Sequence, residues 1–274
     1  MLSRTTLAAL LPTKKLDESL FVFDELPSTN ALALELAKKH APSATVILAD
    51  RQTAGRGRWA RSWFSPPSVN IYGSLIFYFK NPFQAAGWIP LMAGVAIAEA
   101  IEDTTGIAIA LKWPNDVLIA EQKLGGILCE SFSRGSTETC MVIGFGINVN
   151  LSQSALPEEL RSFATSLLIK CQHHVDRENL LKQIILSLEQ GYASLLTQGP
   201  QGWHSRYSSR CATIGRKIRV QFPDGSQLHG LAQSIGTHGQ LQVAPSPSDF
   251  QGKSARIVDI YSGEILHIRT QSLE

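Results

Sequence analysis

The residues best equipped for chemistry lie in Gln52-Thr53-Ala54-Gly55-Arg56-Gly57-Arg58-Trp59-Ala60-Arg61-Ser62-Trp63, where three arginines and two glycines fall within seven positions. Guanidinium groups offer paired donors to carboxylate or phosphate, and glycine lets backbone N–H groups approach an anion. Trp63 adds a flat face on which an adenine ring can stack. The loop matches neither a Walker motif nor a dinucleotide fingerprint, because it contains no Gly-Lys-Ser/Thr and no Gly-x-Gly-x-x-Gly. By residue type alone it also suits a solvated turn or a nucleic-acid contact.

A second segment is Lys112-Trp113-Pro114-Asn115-Asp116, followed by Lys123-Leu124-Gly125-Gly126. Its carboxylate can hold Mg²⁺ or a hydroxyl, and its lysine can neutralise phosphate as a point charge. Taken alone, the same residues make a capped hairpin with a surface lysine. A third segment, Gly144-Phe145-Gly146-Ile147-Asn148, reads alone as a bulge or turn as readily as a base contact.

The surrounding pattern supplies elements to position these segments. A strand at Phe21–Asp24 leads to Ser28-Thr29-Asn30, which cap a helix over Ala31–His40. Strands are expected at Thr45–Ala49 and Asn70–Phe79, with a polar loop at Arg51–Ser68 between them and another loop at Asn81-Pro82. An alanine-rich helix spans Leu91–Ile101 before Gly106, and strands follow at Ile107–Trp113, Val117–Ala120, Gly126–Cys129 and Met141–Ile147. Helices are predicted over Glu158–Lys170 and over Arg177–Leu196, the second capped by Asp176. From about Gly202, short strands alternate with turn pairs (Lys217–Phe222, Gln227–Ile235, Gln240–Ala244, Arg256–Ile268), the texture of a small antiparallel barrel. The fold class is therefore α+β: a mixed sheet packed with helices at 20–205, a small β-barrel at 212–270, and a short helical or loose leader at 1–19.

Composition narrows the partners. Hydrophobic residues make up 44% of 274, ample for a core, and 25 Lys plus Arg against 23 Asp plus Glu argue for no particular macromolecule. Cys129, Cys140, Cys171 and Cys211 have no metal or redox spacing. No apolar run approaches the roughly 20 residues of a membrane helix, and the N-terminus lacks a clear signal-peptide site. A cytoplasmic protein with no membrane attachment is expected.

Read together and in order, Ser-Thr-Asn, Gln-x-Ala-Gly-Arg-Gly-Arg with tryptophan downstream, Lys-Trp-Pro-Asn-Asp, Lys-x-x-Gly-Ile-Leu and Gly-x-Gly-Ile-Asn closely resemble the biotin–protein ligase family from about Phe21 to Asn150. The resemblance implies a class II synthetase-like biotin/lipoate ligase catalytic domain followed by an SH3-like module. It implies an enzyme that makes biotinyl-5′-AMP and diphosphate from biotin and ATP, then transfers biotin to a lysine of a biotin carboxyl carrier protein. Biotin contacts would be Ser28, Thr29, Asn30, Gln52, Gly55, Arg56, Gly57, Arg58, Lys123 and Gly126, with Gly126–Leu128 and the Asn70–Phe79 strand lining a channel for the valeryl chain. ATP contacts would be Arg58, Trp63, Asn115, Asp116, Lys123 and Asn148. Arg56, Arg58, Lys123 and Asp116 would carry the chemistry, Asp116 also being the candidate Mg²⁺ ligand. ATP, Mg²⁺ and biotin would come and go, with no permanently bound cofactor.

The family usually has glycine where Ala60 stands, and alanine tolerates positive φ poorly. Lipoate–protein ligases share the fold, but the Gly-Arg-Gly-Arg and Lys-Trp-Pro-Asn-Asp pair favours biotin. Some family members carry an N-terminal helix-turn-helix domain of roughly 50 residues or more. About 20 residues precede the first strand here, so no specific DNA binding is expected. The family often pairs as homodimers through sheet edges.

Overall fold

The computed structural model describes residues 2, 5–7, 19–80, 85–247 and 256–267. Seven strands form one mixed sheet in the order β1-β2-β3-β7-β6-β5-β4. They are β1 (Leu20–Leu26), β2 (Thr45–Gln52), β3 (Ile71–Lys80), β4 (Ala110–Lys112), β5 (Asp116–Ile119), β6 (Gln122–Arg134) and β7 (Glu138–Ile147). β1 runs parallel to β2, and every other neighbouring pair is antiparallel.

The central strands are apolar on both faces because both faces are covered. Successive residues of a strand point to opposite sides, so Val46 and Leu48 join one cluster and Ile47 another; Leu75 and Phe77 part from Ile76 in the same way. The smaller cluster lies under α1 (Thr29–Lys38), through Ala33 and Ala37. The larger lies under α2 (Ile89–Thr105) and α4 (Arg177–Gln198). Leu2 and Leu7, within the expected leader, are also buried in this larger core. Other leader residues, and the Asn81-Pro82 loop, lie outside the described residues.

Caps end the helices where the sequence provides them. Ser28 Oγ accepts from Ala31 N–H at 3.4 Å, and Asp176 accepts from Glu178 and Asn179 N–H at 3.0 and 3.1 Å. Gly106 closes α2 at φ 71°, a conformation that costs glycine little.

Several sequence expectations need correction. The helix over Glu158–Lys170 does not form as one element: a single turn at Glu158–Leu160 is followed by a further turn at 161–163 and a β-bridge of Ala164 to Lys123, then by the short α3 (Leu167–Cys171). Tertiary pairing overrides helical propensity here. Lys123 N–H donates to Phe163 O at 2.7 Å, and Thr165 N–H donates to Lys123 O at 2.9 Å. The strand expected at Ile107–Trp113 shrinks to β4. A helix missed by the sequence reading, α5 (Gln201–Ser208), buries Trp203 and Tyr207.

After α5 comes a five-stranded antiparallel sheet: β8 (Lys217–Gln221), β9 (Gln227–Ile235), β10 (Leu241–Pro245), β11 (Val258–Ile260) and β12 (Glu264–His267). Its order is β11-β10-β9-β8-β12, and among the described residues it does not close. The single strand expected over Arg256–Ile268 is two, broken at Tyr261–Gly263. Two indole N–H groups tie the two sheets together, Trp88 donating to Thr237 O at 2.8 Å and Trp113 to Gly239 O at 3.0 Å. Among the described residues, no helix is long and apolar enough to cross a membrane.

Asp50 at the end of β2 anchors α4 by accepting from Arg177 Nη1 at 3.0 Å, with both side chains buried. Burial acts to raise the Asp50 carboxyl, but hydrogen bonds from Ser68 and Arg177 prevail and leave it below its ordinary value of 3.8. Its contribution is thus complete above the unfolded-chain value and fades as pH falls through the lower folded one. Asp50→Asn should cost about 3 kcal/mol at neutral pH by stranding a buried guanidinium. The gap in urea midpoint between variant and parent should narrow below about pH 4; a gap independent of pH would refute this.

Candidate active site

The three chemically equipped segments meet in one cavity of about 360 Å³ above β6 and β7. Ser28, Asn30, Gln52, Arg56, Gly57, Arg58, Trp63, Asn115, Asp116, Lys123, Gly126 and Asn148 all line it. Two expected residues stand behind the wall. Thr29 donates through its N–H to Gln52 Oε1 at 2.9 Å, which orients the glutamine. Gly55 closes the base of the loop, where a Cβ would fall 2.7 Å from both Ser65 Oγ and Trp63 O. β3 does not line the cavity as expected; Gly144, Phe145 and Gly146 of β7 take that place beside Gly126, Ile127 and Leu128 of β6. β7 lies between β3 and β6, which separates the two.

One end is lined by hydroxyl and carboxamide groups, one of which is bonded to the Glu130 carboxylate. Asn30 donates to Leu128 O at 3.0 Å and to Glu130 Oε2 at 2.9 Å, while its Oδ1 accepts from Ser74 Oγ at 2.5 Å. Gly144 makes room for this carboxamide: a Cβ there would lie 1.9 Å from Asn30 Oδ1. Gln52 Nε2 donates to Ser65 Oγ at 3.3 Å. Hydroxyl and carboxamide groups of both polarities therefore surround this end.

The other end is charged. Lys123 Nζ pairs with Asp116 Oδ1 at 2.6 Å and sits 5.4 Å from the centroid of the Trp63 ring. Trp63 rests on the glycine floor, where a Cβ at Gly146 would come within 2.5 Å of its Nε1. That Nε1 is a buried donor with no acceptor among the described residues. Asn115 Nδ2 donates to Ile127 O at 2.8 Å, fixing the turn that offers Asp116. Asn148 Nδ2 donates to Thr165 O at 3.0 Å, which shapes the floor.

The arginine loop spans the two ends. Trp63 N–H donates to Gly55 O at 2.9 Å, and Gly57 N–H to Arg61 O at 2.7 Å, making a narrow hairpin. Trp59 and Ala60 at its tip both take φ 56°, the left-handed region that the sequence flagged as costly for alanine. Arg56 pairs with Glu130 Oε2 at 3.4 Å. Arg58 donates to Gly263 O at 3.2 Å, and burial lowers its guanidinium below its ordinary value against the opposing pull of Asp116 and Glu264. Arg61 grips Glu264 through both nitrogens.

Sequence reasoning missed several lining residues. Arg61 was visible in the loop itself. Glu264 and Ile265 carry no local signal, because only the docking of the second sheet brings them here, some 200 positions away from the loop. Leu160, Phe163 and Ala164 line the cavity because the expected helix gives way to turns and a β-bridge to Lys123, and Leu156 joins them from the preceding bend. Among the described residues, no group of three His, Cys, Asp or Glu side chains is placed to hold a metal.

Comparison with known proteins identifies relatives of this chain. Residues 22–148 match the model of the Biotin/lipoate A/B protein ligase family. The bifunctional ligase/repressor BirA of Bacillus subtilis is 35% identical over 264 residues, covering 96% of this chain and 78% of that one. The biotin–[acetyl-CoA-carboxylase] ligase of Mycobacterium tuberculosis is 34% identical, covering 88% and 86%. Among solved structures, the biotin protein ligase from Aquifex aeolicus in complex with biotin and ATP superposes with a TM-score of 0.76 at 27% identity, covering 92% of this chain and 100% of that one.

The strained hairpin tip gives a direct expectation. Ala60→Gly should stabilise the folded loop by up to about 1 kcal/mol, read as slower proteolytic cutting between Arg56 and Ser62. Faster cutting would mean that the lost side chain, and not φ, governs the tip. Gly146→Ala should displace Trp63 and change the tryptophan emission spectrum, and an unchanged spectrum would place the indole elsewhere.

Proposed function

The chain belongs to the biotin/lipoate A/B protein ligase family, and on that premise we propose that it is an ATP-dependent biotin–protein ligase. It joins biotin to AMP with release of diphosphate, then passes the biotinyl group to a lysine of a biotin carboxyl carrier protein, such as that of acetyl-CoA carboxylase. The observation that carries this reading is the convergence of the Gln52–Trp63 loop, the Lys112–Asp116 turn and Lys123 on one cavity.

The end lined by hydroxyl and carboxamide groups suits the ureido ring, which has two N–H donors and one carbonyl. Ser28, Asn30 and Gln52 supply groups of both polarities there, with Thr29 orienting Gln52. The valeryl chain runs along Gly126, Ile127 and Leu128 toward Arg56, Gly57 and Arg58, with Gly55 holding the loop. At the charged end Trp63 offers its face to adenine, beside Asn115, Asp116 and Asn148.

Charge sets the mechanism. Two unit negative charges at ~4 Å repel by about 4 kcal/mol at an effective dielectric near 20. Arg56, Arg58 and Lys123 offset that repulsion between carboxylate and α-phosphate, and they stabilise the charge that builds in the transition state. The carboxylate is itself the nucleophile, so adenylation requires no protein base. Burial beneath the loop then keeps water from the mixed anhydride. Mg²⁺ would enter with ATP as its counter-ion. Asp116 would be its carboxylate ligand in the cavity, with one of its oxygens paired to Lys123. We read the second sheet as the family's SH3-like module and 20–205 as the catalytic unit.

Purified protein should exchange labelled diphosphate into ATP only when biotin is present, and should biotinylate an acceptor domain. Exchange without biotin, or a preference for lipoate, would overturn the assignment. Lys123→Ala should slow exchange by on the order of 100-fold. Arg58→Ala should shorten retention of the adenylate on a desalting column.

A further inference from the structure

The neighbours of Asn148, on the cavity floor, dictate which way its carboxamide points. β3 and β7 run antiparallel with Ile71 paired to Ile147, so the residues just beyond that pair, Asn70 and Asn148, stand across from each other. Asn70 is fully buried and sits behind the cavity wall. Its Oδ1 accepts from Val149 N–H at 3.0 Å, and its Nδ2 donates to Asn148 Oδ1 at 3.4 Å. Asn148 Nδ2 in turn donates to Thr165 O at 3.0 Å.

Both ends of this chain are backbone groups, and they fix its polarity. Val149 N–H can only donate, so it meets the oxygen of Asn70 and turns the Asn70 amide nitrogen toward Asn148. The Thr165 carbonyl can only accept, so it meets the nitrogen of Asn148. Turning over either carboxamide, or both, would set donor against donor or acceptor against acceptor in a buried setting, where unmade hydrogen bonds are costly. The backbone of Asn70 is pinned as well, its carbonyl accepting from Arg177 Nη1 at 2.9 Å beside the ion pair with Asp50.

These two bonds take one N–H and one lone pair of the Asn148 carboxamide, which leaves one of each for a ligand. An adjacent donor and acceptor complement adenine, whose exocyclic amine donates beside a ring nitrogen that accepts. Guanine carries an acceptor carbonyl where adenine carries the amine, so the Asn148 oxygen would there face another oxygen. We infer that Asn70 sets the base selectivity of the site: without touching the nucleotide, it holds the Asn148 carboxamide in the orientation that accepts from an adenine amine. Asn70 is thus a positioning residue. The inference rests on the reading that places adenine beside Trp63 and Asn148.

Biotin-dependent exchange of labelled diphosphate into ATP and into GTP tests it on Asn70→Asp, Asn70→Ser, Asn148→Ala, Asn70→Ser combined with Asn148→Ala, and the remote control Lys80→Gln. Both Asn70 substitutions keep an acceptor for Val149 N–H. Aspartate loses the donor that faces Asn148, and serine has no amide to reach it. The parent should prefer ATP. Each Asn70 variant should lower the ATP-over-GTP ratio of kcat/KM by on the order of tenfold. The loss should come through a raised KM for ATP, with kcat and the KM for biotin as in the parent and the control. The double variant should discriminate no worse than Asn148→Ala alone, because Asn70 acts through Asn148. A parent-like ratio in either Asn70 variant, an equal rise in the KM for biotin, or a further loss in the double variant would overturn the role of Asn70 and leave the adenylation reading standing. So would a parent that uses GTP as well as ATP. Should the parent exchange no diphosphate at all, the adenylation reading falls, and calorimetry of ATP and GTP with parent and Asn70→Ser still decides whether Asn70 sets the choice of base.

Discussion

Lys123 is held from four directions, and the geometry of the cavity depends on that restraint. Its carbonyl and N–H pair with Thr165 and Phe163, its ammonium pairs with Asp116, and the Trp63 ring lies beside it. A lysine on four rotatable bonds is otherwise a poor landmark, since fixing such a chain costs considerable rotamer entropy. Here the backbone bridge fixes its stem, and a carboxylate at contact distance fixes its tip. The turn carrying Asp116 is itself fixed, because Asn115 spends its carboxamide on Ile127 O. The glycine floor then follows, since a side chain at Gly146 would collide with Trp63.

Much of this was legible in the sequence, for physical reasons that differ by element. α1 and α4 announce themselves through caps at Ser28 and Asp176 and through apolar spacing, both local properties. The positive φ at Ala60 was legible only through the family resemblance, in which glycine usually stands at that position; alanine itself does not announce it. The segment 158–170 misled because helical propensity is weak and Lys123, some 40 positions earlier, offers its backbone to Phe163 and Thr165 instead. The β3 contribution to the channel was misjudged because strand order is not written in strand sequence. β7 lies between β3 and β6, and nothing in Ile71–Lys80 says so.

The second sheet illustrates the limit most clearly. Its strands were visible as short apolar runs between turn pairs, yet their relation to the cavity was not. That relation is set by contacts between residues 100 or more positions apart: Trp113 with Gly239 and Thr213, and Arg61 with Glu264. Trp113 lies within the Lys112–Asp116 turn, so a turn of the second sheet bears directly on the chemistry-bearing one. The sheet is thus part of the site's scaffold and not an appended module.

The arginine loop shows how such a scaffold handles concentrated charge. Arg56 leans on Glu130, Arg58 on Gly263 O, and Arg61 on Glu264. None of these contacts is deeply buried on both sides, and partly exposed ion pairs contribute only up to about 1 kcal/mol each. They are strong enough to keep like-charged guanidinium groups apart, and weak enough to be exchanged for a phosphate or carboxylate that offers several charge-assisted bonds at once. Deeply buried pairs, of the kind Asp50 makes with Arg177, would resist such exchange. The distribution of burial therefore separates the two kinds of cation: Arg177 at the sheet's end holds the fold, and the loop arginines keep partly exposed partners that an anion could replace.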